Sequence, residues 1–585
     1  MKKVFNLKYM LVLSLGLSLS ACTKLDEKIQ DEILDPNGSS PVGFLSAAYD
    51  RLGKGTFVDH GGVFALQQYT TDEAMLPTRG SDWGDGGKWR SMHEFTWGPD
   101  NAIVTDNWNM LTNGVTRSLS AVKAITESNF PQKQMYLAEA KGLLAYYLFH
   151  LLDLYGQAPY RNPMDEKAPL EFIKADTGID ALITDVEALI PDLAGLGDNA
   201  THNGRFTKEA AYGFLANMYL NRAVLKNRYA ASFNFMEKAV TGNDTDMDKV
   251  IYYTSLLINS SKFHLESNYF TNFSIKNEKA AELIWVVTQK IDKIRNGSNS
   301  FGYVGVERNQ RPTPANRGTN AACMTPEFYY SWDGNHDDPR FSRKYQYSDG
   351  TWFLNNGEQS VPSTDIVPGT NLMWFHFNRG IMEGQQYGPV LANNSSFVMT
   401  ADNRIKVSEL VMEKSTGVKM DFTPELNFDN PKEAVFKQNQ INRGVRVFKY
   451  EYDPGDGNGA SNVDIPLVRL GAMYTLRAEA YFRKGNKDLA MQDINKLRTS
   501  RTREAYYQNA AGKAISSMDE AQLYKEIAYE TYWELLRRQQ MIRFGKYDLP
   551  MAKSAKPATQ PFRRIFPIPQ NVMDITEGVS QNQGY

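Results

Sequence analysis

Leu467-Val-Arg-Leu-Gly-Ala-Met-Tyr-Thr-Leu-Arg-Ala-Glu-Ala-Tyr-Phe-Arg-Lys484, then Gly485-Asn486, then Lys487-Asp-Leu-Ala-Met-Gln-Asp-Ile-Asn-Lys-Leu-Arg498 reads as two helices and the turn between them. Leu470, Met473, Tyr474, Ala478 and Tyr481 recur at helical spacing, and Ala490, Ile494 and Leu497 do so in the second segment. Gly485 is the residue type that ends a helix. The small side chains at Ala478, Ala480 and Ala490 let paired helices approach closely, which is the logic of a tetratricopeptide-type hairpin. Ala216-x-x-Tyr219-Leu220 and Ala478-x-x-Tyr481-Phe482 repeat one local pattern.

Working outward, the same periodicity predicts a helix over 132–155, with Leu137, Ala140, Leu144, Tyr147, Leu148 and Leu151 as its stripe and Gly156 as its stop. A helix over 207–225 starts on Thr207, a capping residue. A last long helix is predicted over about 518–544. Between 268 and 466 the chain changes character: short apolar runs at 283–288 and 397–400, many Gly and Pro, and frequent aromatics predict loops with a few short strands. The fold class expected is mostly α, a tetratricopeptide-like helical hairpin scaffold carrying a loop-rich, ligand-binding part.

At the start, Lys2, Lys3 and Lys8 precede an apolar run from Tyr9 to Leu19 and then Leu19-Ser-Ala-Cys22. That is a signal peptide, since a run of about 11 residues is too short for a spanning helix, which needs roughly 20. Leu-Ser-Ala-Cys resembles the bacterial lipobox, so residues 1–21 are expected to be removed and Cys22 acylated. Residues 22–45 are expected to form a lipidated tether, with turn formers over 35–41.

The net charge of −2 excludes a strong electrostatic case for nucleic acid. The only other cysteine is Cys323, so once Cys22 is acylated no intramolecular disulfide is possible. The seven histidines show no HExxH spacing, and there is no nucleophile elbow, phosphate loop or dinucleotide fingerprint. No catalytic residue, metal site or cofactor is therefore expected. The run from Asp453 through Asp456 and Asn458 to Asp464 faintly resembles a calcium loop but lacks the closing glutamate, and reads as a turn.

Sugar rings present flat apolar faces edged by hydroxyls, so a carbohydrate site wants aromatic platforms with polar partners at the rim. The stretch 72–108 supplies these densely: Asp72, Arg79, Asp82, Trp83, Trp89, Trp97, Asn101 and Trp108, including four of the nine tryptophans. Trp83 and Trp89 lie in a Gly-Asp loop expected to leave them exposed, whereas Trp97 and Trp108 read equally well as core. Tyr303, Phe328, Tyr329, Tyr330, Trp332, Trp352, Trp374 and Phe375 form a second aromatic group. Tyr303, Trp332 and Trp352 join the candidate ligand-binding set.

Val468 to Gly485, with Ala490, Ile494-Asn495 and Leu497-Arg498, resembles the SusD/RagB family of nutrient-binding outer-membrane lipoproteins. So do Trp533-Glu534 with Arg537-Arg538, Ile542 to Lys546, Phe566 to Gln570 and the ending Gln581 to Tyr585. Ala138-Glu139-Ala140, Tyr155-Gly156, Pro159-Tyr160 and Gly204 to Thr207 with Ala210-Ala211 are similar to the family's first helices. Gln540, Leu536 and Gln583 depart from the usual pattern. The resemblance implies an N-terminal part over 46–235 and a C-terminal part over 268–585, packed as one unit. It also implies a non-enzymatic role at the outer membrane, on the cell surface: holding an oligosaccharide above a TonB-dependent, SusC-like barrel, with capture of peptide or another nutrient as the alternative.

Overall fold

The structure is a computed structural model, and it describes residues 40–585 except 130, 166, 293–298, 311–314, 348, 366–377, 394–395, 431 and 504–509. The signal segment, Cys22, Trp374 and Phe375 lie outside the described residues.

Helices dominate both ends of the chain. They are α1 (Pro41–Asp50), α2 (Ala102–Glu127), α3 (Lys133–Tyr155), α4 (Ala175–Leu189), α5 (Lys208–Lys226) and α6 (Asp246–Ile258), then α7 (Leu470–Arg483), α8 (Lys487–Ser500), α9 (Glu520–Thr531) and α10 (Arg537–Arg543). Each packs on the next from α1 to α8, α9 packs back on α7, and α10 follows against α9, so α6 and α7 join the two ends of the chain into one continuous stack. Polar caps set the starts. The Asn101 side chain accepts from Ile103 N–H, Thr207 from Ala210 N–H, and Thr245 forms a reciprocal box with Asp248. Gly156 ends α3 at φ 69°, as the sequence predicts.

Close approach is set by glycine at two places. A Cβ on Gly114 of α2 would sit 2.4 Å from the Tyr147 ring of α3, and one on Gly213 of α5 would sit 2.3 Å from Val468. Val468 belongs to the strand Ile465–Arg469, which pairs antiparallel with Leu283–Val287 and leads directly into α7.

Three expectations are corrected. The tether ends earlier than residue 45, because Pro41 opens α1 in a position where its missing N–H costs nothing, and Leu45 is already buried. The long last helix is two, since Trp533 and Leu535 take left-handed φ of 60° and 66° between α9 and α10. Trp533 N–H and its indole N–H both go to Glu73, at 2.9 and 3.1 Å, and these tertiary bonds hold the break against good helical propensity. The 397–400 run makes only isolated bridges, Phe397 to Leu391 and Met399 to Ile405.

The middle of the chain forms short sheets. Ser342–Arg343, Arg379–Met382 and Arg446–Phe448 make one, and Ser360–Val361, Ile405–Glu409 and Tyr387–Pro389 another. Thr78–Arg79 pairs in parallel with Val435–Phe436, which ties the tryptophan-rich loop to this region.

Beneath it lies a buried knot of charge. Glu282 accepts from Arg469 at 3.0 Å and from Arg501, and Glu530 accepts from Arg469 at 2.8 Å and Arg501 at 2.6 Å. Arg340 adds Asp338 at 2.8 Å and Glu526 at 3.0 Å, and Glu534 takes Arg469 and Lys449. All of these side chains are almost fully buried. Burial by itself would raise the Glu282 carboxyl, but Arg501 and Arg469 outweigh it and hold it down to about 2.

Candidate functional site

After the Thr78–Arg79 strand the chain turns sharply, with Arg79 and Asp82 exchanging backbone hydrogen bonds of 2.8 and 2.9 Å. Trp83 and Asp85 then take φ of 59° and 36°, a conformation rarely held by non-glycine residues, before Gly86 and Gly87 at 64° and 83°. What holds Trp83 there is visible. Its indole N–H donates to the Thr319 carbonyl at 3.0 Å, and its own carbonyl accepts from the Thr78 hydroxyl at 3.3 Å.

The two indoles form a corner. Trp89 is 5.9 Å from Trp83, ring centre to ring centre, at 75°, and His60 lies 5.6 Å from Trp83 and 5.1 Å from Trp89. Trp89 donates to Asp85 at 2.9 Å and is buried, while Trp83 is half-buried. Burial pushes the His60 pKa down, and Lys88 adds to this while Asp59 opposes it. His60 is therefore a neutral support under the rings at ordinary pH.

The rim is polar. Arg308 donates to the same Thr319 carbonyl at 2.6 Å and pairs with Asp82 at 3.2 Å, and Lys414 reaches Asp82 at 2.5 Å. The Gln438 side chain accepts from Ser81 N–H at 3.3 Å and donates to the Lys414 carbonyl at 2.6 Å, closing the turn against the distant loop. Thr319 N–H donates to the Tyr303 carbonyl at 3.3 Å, and the half-buried Tyr303 ring lies 6.0 Å from Tyr452.

Asp82, Trp83 and Trp89 thus come together, and Tyr303 joins them through its backbone carbonyl on Thr319 N–H; the other predicted site residues do not. Asp72 makes a two-pronged ion pair with Arg537, both contacts 2.6 Å. Arg79 is buried and donates to the carbonyls of Ala321, Ile441 and Arg443. Asn101 is spent on its cap and on Ser91 at 2.9 Å. Trp97 is buried against Phe95 and Phe566 and donates to the Tyr585 hydroxyl at 2.9 Å. Trp332 is fully buried and stacked on Tyr529 at 3.7 Å. Trp352 is half-exposed but sits on a separate hairpin with Tyr345–Gln346. These are corrections to the expected platform, and the reason is common to most of them: the rings and charges are consumed by partners far away in sequence. Trp89 is a partial correction, because His60 and Tyr69 cover a ring that its glycine-rich loop was expected to expose.

Sequence reasoning missed His60, Arg308, Thr319, Lys414 and Gln438, none of which stands in a local motif. Three concavities of about 500, 490 and 480 Å³ lie on the helical side instead, one between α2 and the 157–170 segment, one beside α1, and one between α3 and α4. A stacking site needs a flat ring with polar neighbours more than it needs depth, which favours the Trp83 corner. Among the described residues no group of three or more His, Cys, Asp or Glu is placed to hold a metal ion. In the 453–464 run, Asp453 accepts from Gly455 N–H at 2.8 Å and Asn462 N–H at 2.7 Å, which closes a turn.

Comparison with known proteins bears on the whole chain. The starch-binding protein SusD of Bacteroides thetaiotaomicron is 24% identical over 552 residues, covering 89% of this chain and 85% of that protein. Among solved structures, the surface glycan-binding protein A of Bacteroides thetaiotaomicron in complex with laminarihexaose matches with a TM-score of 0.62 at 16% identity, over 93% of this chain and 98% of that one. A laminarin-binding SusD-like protein gives 0.60 at 16% identity, over 93% and 99%. These structural likenesses establish the fold. A family described as starch-binding and associating with the outer membrane matches residues 56–220. The SusD family's own profile matches residues 281–585, more than half of the sequence, and the chain belongs to the SusD family.

Proposed function

We propose that this protein is a cell-surface lipoprotein that captures an oligosaccharide against the Trp83 corner and hands it to a TonB-dependent, SusC-like barrel in the outer membrane. It is a binding protein and not an enzyme. The observation that carries the reading is the half-buried Trp83 ring, locked by the Thr319 carbonyl, backed by Trp89 and His60 and edged by the Asp82–Arg308–Lys414 cluster. A sugar ring would stack on the indole while the rim meets its hydroxyls. Starch and laminarihexaose, named for the relatives, are ligands of this general kind.

Anchoring rests on Cys22 and its lipobox-like context. Among the described residues no helix is long and apolar enough to cross a membrane. Acyl chains would supply the attachment, at about 0.8 kcal/mol per buried methylene. The 46–235 and 268–585 parts would act as one unit, because the corner takes Trp83 from the first and Thr319 from the second.

Calorimetry of the chain lacking residues 1–22 against soluble neutral and anionic glycans tests the reading. Trp83→Ala is expected to weaken binding about tenfold, which is ~1.4 kcal/mol. Binding that is indifferent to both Trp83→Ala and Trp89→Ala would move the site elsewhere, and peptide binding with silence toward every glycan would replace the ligand class.

A further inference from the structure

The rim of the Trp83 corner has a charge arrangement with a consequence for which glycan it takes. Asp82 sits between two cations, Arg308 at 3.2 Å and Lys414 at 2.5 Å, with its side chain 17% exposed. Arg308 is further engaged by the Thr319 carbonyl at 2.6 Å, the same oxygen that holds the Trp83 indole at 3.0 Å. On the other side of the indoles, Lys88 lies over the Trp89 ring at 5.0 Å, Asp85 accepts from its N–H, and the Asp59 carboxylate, which accepts from Gly61 N–H at 2.8 Å, lies close enough to His60 to act on its charge. Three carboxylates and three cations therefore balance around the two rings. Arg317, two residues before Thr319, is paired with Glu413.

We infer that Asp82 is the specificity-determining residue of this site, engaging Arg308 and Lys414 so that the Trp83 corner accepts neutral glycans and turns away carboxylated or sulfated ones. The inference rests on the glycan-binding reading proposed above. An anionic sugar arriving at the ring would meet two cations already satisfied and the Asp82 carboxylate between them, and so would give up its hydration for little return. A neutral ring gives up far less, and the bound cations still offer N–H groups to its hydroxyls. Removing the Asp82 charge leaves one positive charge in excess and two cationic donors open beside the platform.

The test uses the chain lacking residues 1–22, neutral glucans and their carboxymethyl derivatives, and calorimetry at about 50 mM and about 500 mM salt. The unaltered protein is expected to favour each neutral glucan over its carboxymethyl form, with little dependence on salt. Asp82→Asn is expected to gain about tenfold in affinity for the carboxymethyl glucan at low salt and to lose that gain at high salt. Adding Lys414→Gln to Asp82→Asn should remove most of the gain, while Lys414→Gln alone should leave the exclusion of the anionic form intact. Far-ultraviolet circular dichroism checks that each variant is folded, and the preference of the unaltered protein stands as a readout if Asp82→Asn is not. An unaltered protein that binds carboxymethyl glucan in a Trp83-dependent manner as tightly as neutral glucan overturns this inference and leaves the function standing. Equal affinities in the unaltered protein and folded Asp82→Asn overturn it too. Glycan binding that ignores Trp83→Ala overturns both.

Discussion

The same kind of contact, arginine and lysine against carboxylate, is used in two regions under opposite conditions. In the knot around Glu282, Arg469, Arg501 and Glu530 every side chain is at or near zero exposure and each carboxylate serves several donors. At the rim, Asp82 is 17% exposed and Lys414 41% exposed. Charges taken fully out of water are costly unless every one is matched, so the knot fixes how α7, α9 and the strand pair beneath them meet. Charges left at the surface contribute little to stability and are available to act on a ligand. Depth, not residue type, separates the two roles.

The sharpest way to break this contrast is to unpair the knot. Arg469→Met removes a partner from Glu282, Glu530 and Glu534 together and is expected to cost about 3–5 kcal/mol in chemical denaturation, with the uncompensated carboxylates as the cause. The aromatic rings should divide in the same way. Trp332→Ala, at the buried stack on Tyr529, is expected to lose about 3–5 kcal/mol. Trp83→Ala is expected to cost well under half of that, its effect falling on ligand binding instead.

Acidity separates buried carboxylates from one another. Glu282, held down to about 2, favours the folded state above its unfolded value near 4.5, and that contribution is lost as pH falls from there through about 2. Glu73, pushed up by burial to about 8, works the other way: its contribution is complete below about 4.5 and is lost as pH rises from there through about 8. Unfolding free energies measured across pH should therefore decline on both sides. Glu73→Gln is expected to flatten the limb between about 5 and 8 while leaving the acid limb unchanged. A limb that stays as steep in Glu73→Gln would assign it to other groups. The smallest effect is expected at the rim, where Asp82→Asn should change stability by about 0–1 kcal/mol, and a larger loss would mean that the surface cluster also holds the fold.

Much of the scaffold was legible because helices announce themselves locally. Thr207 caps where predicted, Gly156 stops where predicted, and the α7–α8 turn falls on Gly485. The helix α2 escaped notice because it is rich in Thr, Asn and Ser and carries Gly114, whose use is visible only against Tyr147. The break after α9 was invisible for the converse reason: Glu534-Leu-Leu-Arg-Arg-Gln-Gln540 is good helical sequence, overridden by a bond to Glu73 from more than four hundred residues away. At the proposed site, the density of Trp, Gly and Asp over 82–89 drew attention to the loop that carries the two-indole corner. Which rings face solvent was not legible, since Trp97 and Trp332 differ from Trp83 only in what the rest of the chain lays against them. The rim cations come from loops at 308 and 414 and carry no pattern that joins them to residue 82.

The interruption between α9 and α10 also sets a rule about spacing. Immediately after it, Arg537 turns toward Asp72 and the adjacent Arg538 toward Asp153, two carboxylates on different early segments. Neighbouring residues on a helix point about 100° apart, so inserting or deleting one residue in 532–536 would rotate both guanidinium groups out of phase with their targets at once. The count of residues in that short joint is thus as binding as their identity, and length variation along this chain should be tolerated almost anywhere on its surface before it is tolerated there.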